Sequence, residues 1–277
     1  MVSRRDACIV ASYSLSTTIN RSPGLSMSSI AVSLIVFGFV FGGALFGMFL
    51  RSVLPEHHLN NNSKDVVKLG MGLVATMSAL VLSLLISSAK SSFDAQGAEV
   101  TEASAKVILL DRALALYGPE TKEARELLRS SMTHTFERLW PKNGATPAGF
   151  EEPSGGMESV YVKIQAMSPK DDKQRSIQTQ ALIILVALGQ MRWLMYEQQS
   201  TSITMPLLIV LVSWVTTLFI SFGIFAPFNG TVVGSLLVTS LSVAAAIFLI
   251  LELYRPYGGL IHISSAPMRL ALEHLGQ

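Results

Sequence analysis

Between positions 65 and 94 the chain sets Asp65, Lys68, Gly72, Thr76, Ala79, Ser83, Ser87, Lys90 and Asp94 in one series, each three or four residues after the last. The spacing averages close to the 3.6-residue turn of an α-helix, so all nine share a face. The residues between them are apolar enough to sit in lipid. Two chemistries suit small and hydroxyl-bearing side chains flanked by charges. Facing water, the stripe lines a conduit whose charged mouths concentrate ions. Facing protein, it is a seam in which backbones approach closely and hydroxyls return to carbonyls. Lys68 and Lys90 serve either arrangement, because lysines near span ends also snorkel to the interface. Taken alone, the seam is the commoner fate of such a stripe.

Other constellations are weaker. Gly38 and Gly42, and again Gly43 and Gly47, are small residues four apart, a spacing that lets helix backbones approach in lipid. The partner helix is another subunit or another span of the same chain, and the sequence leaves both open. Glu252 lies near the end of the fourth apolar run, at a depth where an ionisable group needs a partner. Arg255, three residues on, shares its helical face and makes an ion pair the favoured reading over a gating or proton-coupling role. Glu56-His57-His58 resembles the start of a metal site, but adjacent histidines diverge on a helix and no His or Cys cluster completes a shell. Gly70-x-Gly72-x-x-Ala75 matches a dinucleotide fingerprint only as a bare pattern, with no preceding strand. No catalytic Ser/His/Asp set, nucleophile elbow or phosphate loop is present. We therefore expect no enzyme, no metal and no cofactor. Cys8 stands alone, so no internal disulfide forms, and a net charge of +2 gives no field for nucleic acid.

The elements that must carry these residues follow from composition. Half of the 277 residues are hydrophobic and 14% are charged, against about 25% charged in soluble domains. About 20 apolar residues cross a bilayer, and four runs reach that length: 28–50, 67–89, 204–226 and 231–253. The fold class is thus all-α, a four-span transmembrane protein with a helical cytoplasmic domain between spans two and three. Its expected divisions are spans one and two at 27–90, the helical domain at 91–202, spans three and four at 203–254, and a juxtamembrane segment at 255–277. Residues 1–26 read as a disordered or artefactual extension ahead of Met27.

Within the helical domain, Gly118-Pro119 ends one helix and begins another that runs to about Trp140. Residues 141–156 are a Pro- and Gly-rich loop. Ser168-Pro169 is expected to cap a long helix ending near Gln199. Ala181–Leu188, too short to span, reads as a buried core piece, and a short strand is conceivable only at 260–263. Lys90, Arg192, Arg255 and Arg269 flank one side of the membrane, and Arg51, Lys64 and Lys68 the other. The positive-inside rule then favours the long middle segment inside the cell.

Four stretches together carry a resemblance: LPEHHL at 54–59, SKDVVKLGMGLVATMSALVLSLLISSAKSSFD at 63–94, LFISFGIFAP at 218–227 and LELYRPYGGLIHISSAPMRLAL at 251–272. The chain resembles the bacterial bestrophin-like domain proteins over most of its length from Met27 onward. That family's name records a distant likeness to bestrophins, pentameric ion channels with four spans per subunit and a helical cytosolic region. The resemblance implies an inner-membrane protein, a homo-oligomer, and a pore lined by the second span. It brings the conduit reading of Lys68, Gly72, Thr76, Ala79, Ser83, Ser87 and Lys90 level with the seam. The chain also departs from that pattern. The stripe is small where bestrophin necks are bulky and apolar, Tyr254 stands where an acidic residue is expected before Arg255-Pro256, and no acidic cluster reproduces a calcium clasp. The expected partners are the bilayer, further copies of the chain and ions.

Overall fold

Apolar runs with no water to satisfy their backbones must close every hydrogen bond internally, and helices are how a single segment does so. In a computed structural model, which describes residues 28–53, 61–141, 147, 149, 156–199 and 205–276, the runs are α1 (Ser29–Val53), the first half of α2 (Asn61–Tyr117), α6 (Met205–Phe225) and α7 (Gly230–Leu253). All four are long and apolar enough to cross a membrane. Between α2 and α6 lie α3 (Lys122–Leu139), α4 (Gly156–Gln165) and α5 (Asp172–Gln199), and α8 (Ala266–His274) closes the chain. There is no strand among the described residues, and 260–263 is bend and irregular backbone. The N-terminal extension and Glu56-His57-His58 lie outside the described residues.

Local chemistry sets the helix ends. Asn229 caps α7, its side-chain oxygen accepting from the Val232 N–H at 2.8 Å. The cap of α5 is Asp171, not Ser168: its carboxylate accepts from the Gln174 N–H at 2.6 Å, and Pro169 stays outside the helix. Gly118 ends α2 at φ 138°, a conformation that glycine alone adopts without strain. The Thr121 hydroxyl then donates to the carbonyls of Leu114 and Gly118, and Gln174 Nε2 donates to that of Tyr117. The last carbonyls of a very long helix are thereby satisfied.

The membrane half is built on α1 against α6. Gly43 and Gly47 face α6, where a Cβ on Gly47 would overlap the Ile220 carbonyl. Gly223 reciprocates, since a Cβ there would overlap the carbonyl of Ala44. These two spans touch backbone to backbone. Gly38 and Gly42 face open space, with nothing near enough to meet a Cβ. Val36, Val40, Ala44, Phe219, Ile247 and Leu251 fill the space between α1, α6 and α7. Span two joins through Leu85 and Ala89, packed on Leu211 and Ile250.

Outside the membrane, the second half of α2 is the spine of the helical domain. Val107, Leu110 and Leu114 pack among Leu128, Ile164, Ala181 and Leu185. The 181–188 stretch is core on one side only: Ala181, Leu185 and Leu188 are buried, while Ile183 and Val186 are exposed. Residues 266–275 fold into the same domain, with Met268 and Leu275 in its core. Asp111, buried on α2, holds Arg125 of α3 by two 2.8 Å bonds and accepts from the Gly276 N–H at 3.3 Å.

The backbone contact at Gly47 makes a direct test. Gly47→Ala should lower stability by about 1–3 kcal/mol, the usual cost of overpacking. Gly42→Ala should stay within about 0.5 kcal/mol, as a change with nothing to meet. Thermal unfolding of the two variants in the same detergent distinguishes them.

Candidate functional site

Helix α2 presents different faces to its surroundings. Ser78, Leu85 and Ala89 form the side packed on the rest of the chain. Lys68, Gly72, Thr76, Ala79, Ser83, Ser87 and Lys90 are all exposed, on the side turned away from it. The structure thus brings the seven stripe residues together on one open face. Beside them runs a ridge of exposed Leu69, Leu73, Leu80 and Leu84. Only 11% of this span's apolar window is buried, against 28–33% for the other three, so α2 is the least covered of the four.

Three polar groups on the open face, Lys68, Thr76 and Lys90, are locally paired. The Thr76 hydroxyl donates to the Gly72 carbonyl at 2.9 Å, which spares it an unsatisfied donor. Lys68 stands 3.5 Å from Asp65, and Lys90 pairs with Asp94 while lying 6.0 Å from the centroid of the Phe93 ring. Each of these lysines therefore has a carboxylate one turn away, and the net charge at either end of the stripe is small.

The face does not stop at Asp94. Helix α2 is 57 residues without a break, about 85 Å at 1.5 Å per residue. Ala98, Thr101, Ala105, Leu109, Arg112 and Leu116 continue the exposed side beyond the membrane. The charges at 90 and 94 read in sequence as an ending, and only the continuous helix reveals these further residues. The helix end that Gly118-Pro119 marks was the available sign that a helix runs on past Asp94.

A second constellation joins the fourth span to the helical domain. Glu252, 5% exposed at the end of α7, accepts at its carboxylate from the Leu260 N–H at 2.7 Å. Arg255, its expected partner, donates its backbone N–H to the Glu252 carbonyl at 2.9 Å. The loop these bonds shape delivers Tyr257 and Ile263 to a cluster with Val100, Leu139 and Met195. The Trp140 ring packs edge-on against Tyr257, and its Nε1–H donates to the Ile263 carbonyl at 3.0 Å. Nearby, Gln198 of α5 donates to Glu99 of α2 at 2.8 Å. No group of three or more His, Cys, Asp or Glu side chains suited to a metal occurs among the described residues.

Four apolar helices and a helical extramembrane domain define a multi-pass membrane protein. The Bestrophin-like domain matches residues 38–268, and the chain belongs to that family. No curated protein and no solved structure matches it.

Two measurements probe the junction. A Cβ at Gly259 would run into the Glu252 carboxylate. Gly259→Ala should therefore displace it from the Leu260 N–H and cost about 1–3 kcal/mol, while Glu252→Gln, which keeps an acceptor, should lose less; differential scanning calorimetry compares them. Burial pushes the Tyr257 phenol well above its ordinary 10, and the charge of Glu99 adds to the shift. The folded chain then holds the proton after the unfolded chain has released it. Stability from this group is full below about pH 10 and falls as pH rises further. Tyr257→Phe should remove that part of the alkaline slope in pH-dependent unfolding.

Proposed function

We propose that the chain is the subunit of an oligomeric passive ion channel in the plasma (inner) membrane of a bacterium. The stripe of α2 faces a shared aqueous path, and the helical domain lies on the cytoplasmic side. One observation carries this reading: the small and hydroxyl-bearing face of span two is left open by its own subunit. Lipid is a poor partner for Lys68, Thr76, Ser83 and Lys90, so water or another copy must meet them. Because Lys68 and Lys90 sit beside Asp65 and Asp94, the path discriminates weakly between anions and cations. Family membership supports the reading by likeness of fold, and the count of basic residues at span ends supports the orientation.

A second reading belongs to another class, a non-conducting scaffold or sensor whose helical domain recruits a partner. The observation in its favour is the exposed apolar face of α5, formed by Ile183, Val186, Trp193 and Leu194. The stripe is then a seam between copies.

The two readings diverge under one substitution. In a channel, Thr76→Lys or Ser83→Lys alters or abolishes current in planar bilayers while the oligomer mass is unchanged. In a seam, the same charge is forced between packed helices and the oligomer falls apart. In a Cys8→Ser background, cysteines placed at 76, 79, 83 and 87 should react with a membrane-impermeant thiol reagent; uniform protection of all four is the result that ends the channel reading.

A further inference from the structure

The helical domain contains a cavity of about 40 Å³ with an unusual wall. Met132, Met157, Met191, Met195 and Met268 all line it, five of the twelve methionines in the chain. They arrive from α3, α4, α5 and α8, and α2 supplies Val100, Ala103 and Val107. No local pattern on one helix accounts for this convergence, because the residues are scattered over 137 positions of the sequence, from 132 to 268.

The wall selects against water. A buried water needs two to four polar partners, and the Thr135 hydroxyl already donates to the Ser131 carbonyl at 3.0 Å. Arg192 is the one charged residue on the wall, and carbon and sulfur make up nearly all the rest. A charged occupant is equally disfavoured, since it would be stripped of water against an apolar wall. The size is informative as well. One water needs roughly 10–15 Å³, and a cavity of about 150 Å³ takes benzene. The space therefore suits a molecule of a few heavy atoms, and methionine, with three rotatable bonds and a polarizable sulfur, lets it enlarge. A wall of leucine and isoleucine would be stiffer. The cavity is also reachable, because Met157, Met191 and Arg192 on its wall are only half-buried.

Its position gives an occupant leverage. Val100, Leu139 and Met195 belong to the cluster that seats Tyr257 and Ile263, while Val107, Met132, Leu188 and Met268 belong to the main core. The cavity lies where the two meet. We propose that it is a binding site for a small, uncharged, polarizable apolar molecule, which on binding bridges the junction cluster and the domain core. The site is independent of whether the spans conduct.

Xenon is the probe. The full chain, in lipid nanodiscs and carrying methyl-13C methionine, is titrated with xenon pressure, with resonances assigned by single Met→Leu variants. The expected result is a saturable shift at Met132, Met157, Met191, Met195 and Met268. Met77 and Met205, exposed on the spans, should show only a linear drift from xenon dissolved in lipid. Ala103→Leu, which places a side chain in the cavity, should abolish the saturable response; Ala103→Val, adding less volume, repeats the comparison should the larger variant fail to fold. Linear shifts of equal size at cavity and span methionines overturn the proposal, as does a saturable shift that survives filling of the cavity in a folded variant.

Discussion

Everything in this molecule is referred to one helix that passes from lipid into water without a break. A helix ordinarily ends where its surroundings change, because the residues that suit lipid do not suit an aqueous core. Here α2 carries a lipid-compatible first half and a domain-forming second half in one register. Leu85 and Ala89 pack on the third and fourth spans, and Val107, Leu110 and Leu114, about five to eight turns later, pack in the helical domain. Its stability derives from those packed faces, since helix propensity alone contributes little. A rotation or tilt imposed on the membrane half is transmitted to the domain, because no hinge residue interrupts the hydrogen-bond ladder before Gly118.

The junction loop supplies a second, independent tie. Burying the Glu252 carboxylate is costly, and the charge-assisted bond from the Leu260 N–H offsets part of that cost. What results is a fixed loop shape, which sets Tyr257 against Trp140 and Ile263 over Val100. The fourth span is thereby coupled to α2, α3 and α5 at one place. Two connections between membrane and domain, one covalent and continuous and the other built by packing, make relative motion of the two halves a concerted event. The methionine-lined cavity borders the second connection, where a change of packing has the shortest path to the spans.

The open face of α2 and the packed pair α1–α6 show how the same residue type serves opposite ends. Gly43 and Gly47 remove side chains so that backbones touch inside one subunit. Gly72 is as small, yet a Cβ there would meet nothing from its own chain, and Ala79 on the same face is exposed. Smallness by itself says only that something comes close or that space is kept open. The paired lysines and carboxylates at 65–68 and 90–94 add that the two ends of the stripe carry little net field.

Much of this architecture was legible in the order of residues. Hydropathy marks four spans because no other segment can enter lipid, Gly118-Pro119 marks a break because of what those residues do to φ, and the 3.6-residue repeat marks the stripe. The capping residue of α5 was misplaced by one turn, since Ser168 and Asp171 are both good caps and only the loop geometry chooses between them. The end of α2 was readable at Gly118-Pro119, but its continuity through 90–94 was not, because charges at a span end look the same whether the helix stops or continues. One partner of Glu252 was not readable either: it is a backbone N–H eight residues away, and backbone donors leave no mark in a sequence. The sequence by itself determined which segments enter the membrane and which residues share a helical face, because those depend on local transfer energies and a fixed helical period. The tertiary structure alone decided which faces are covered and which stay open, because that depends on how separate helices are brought together in space.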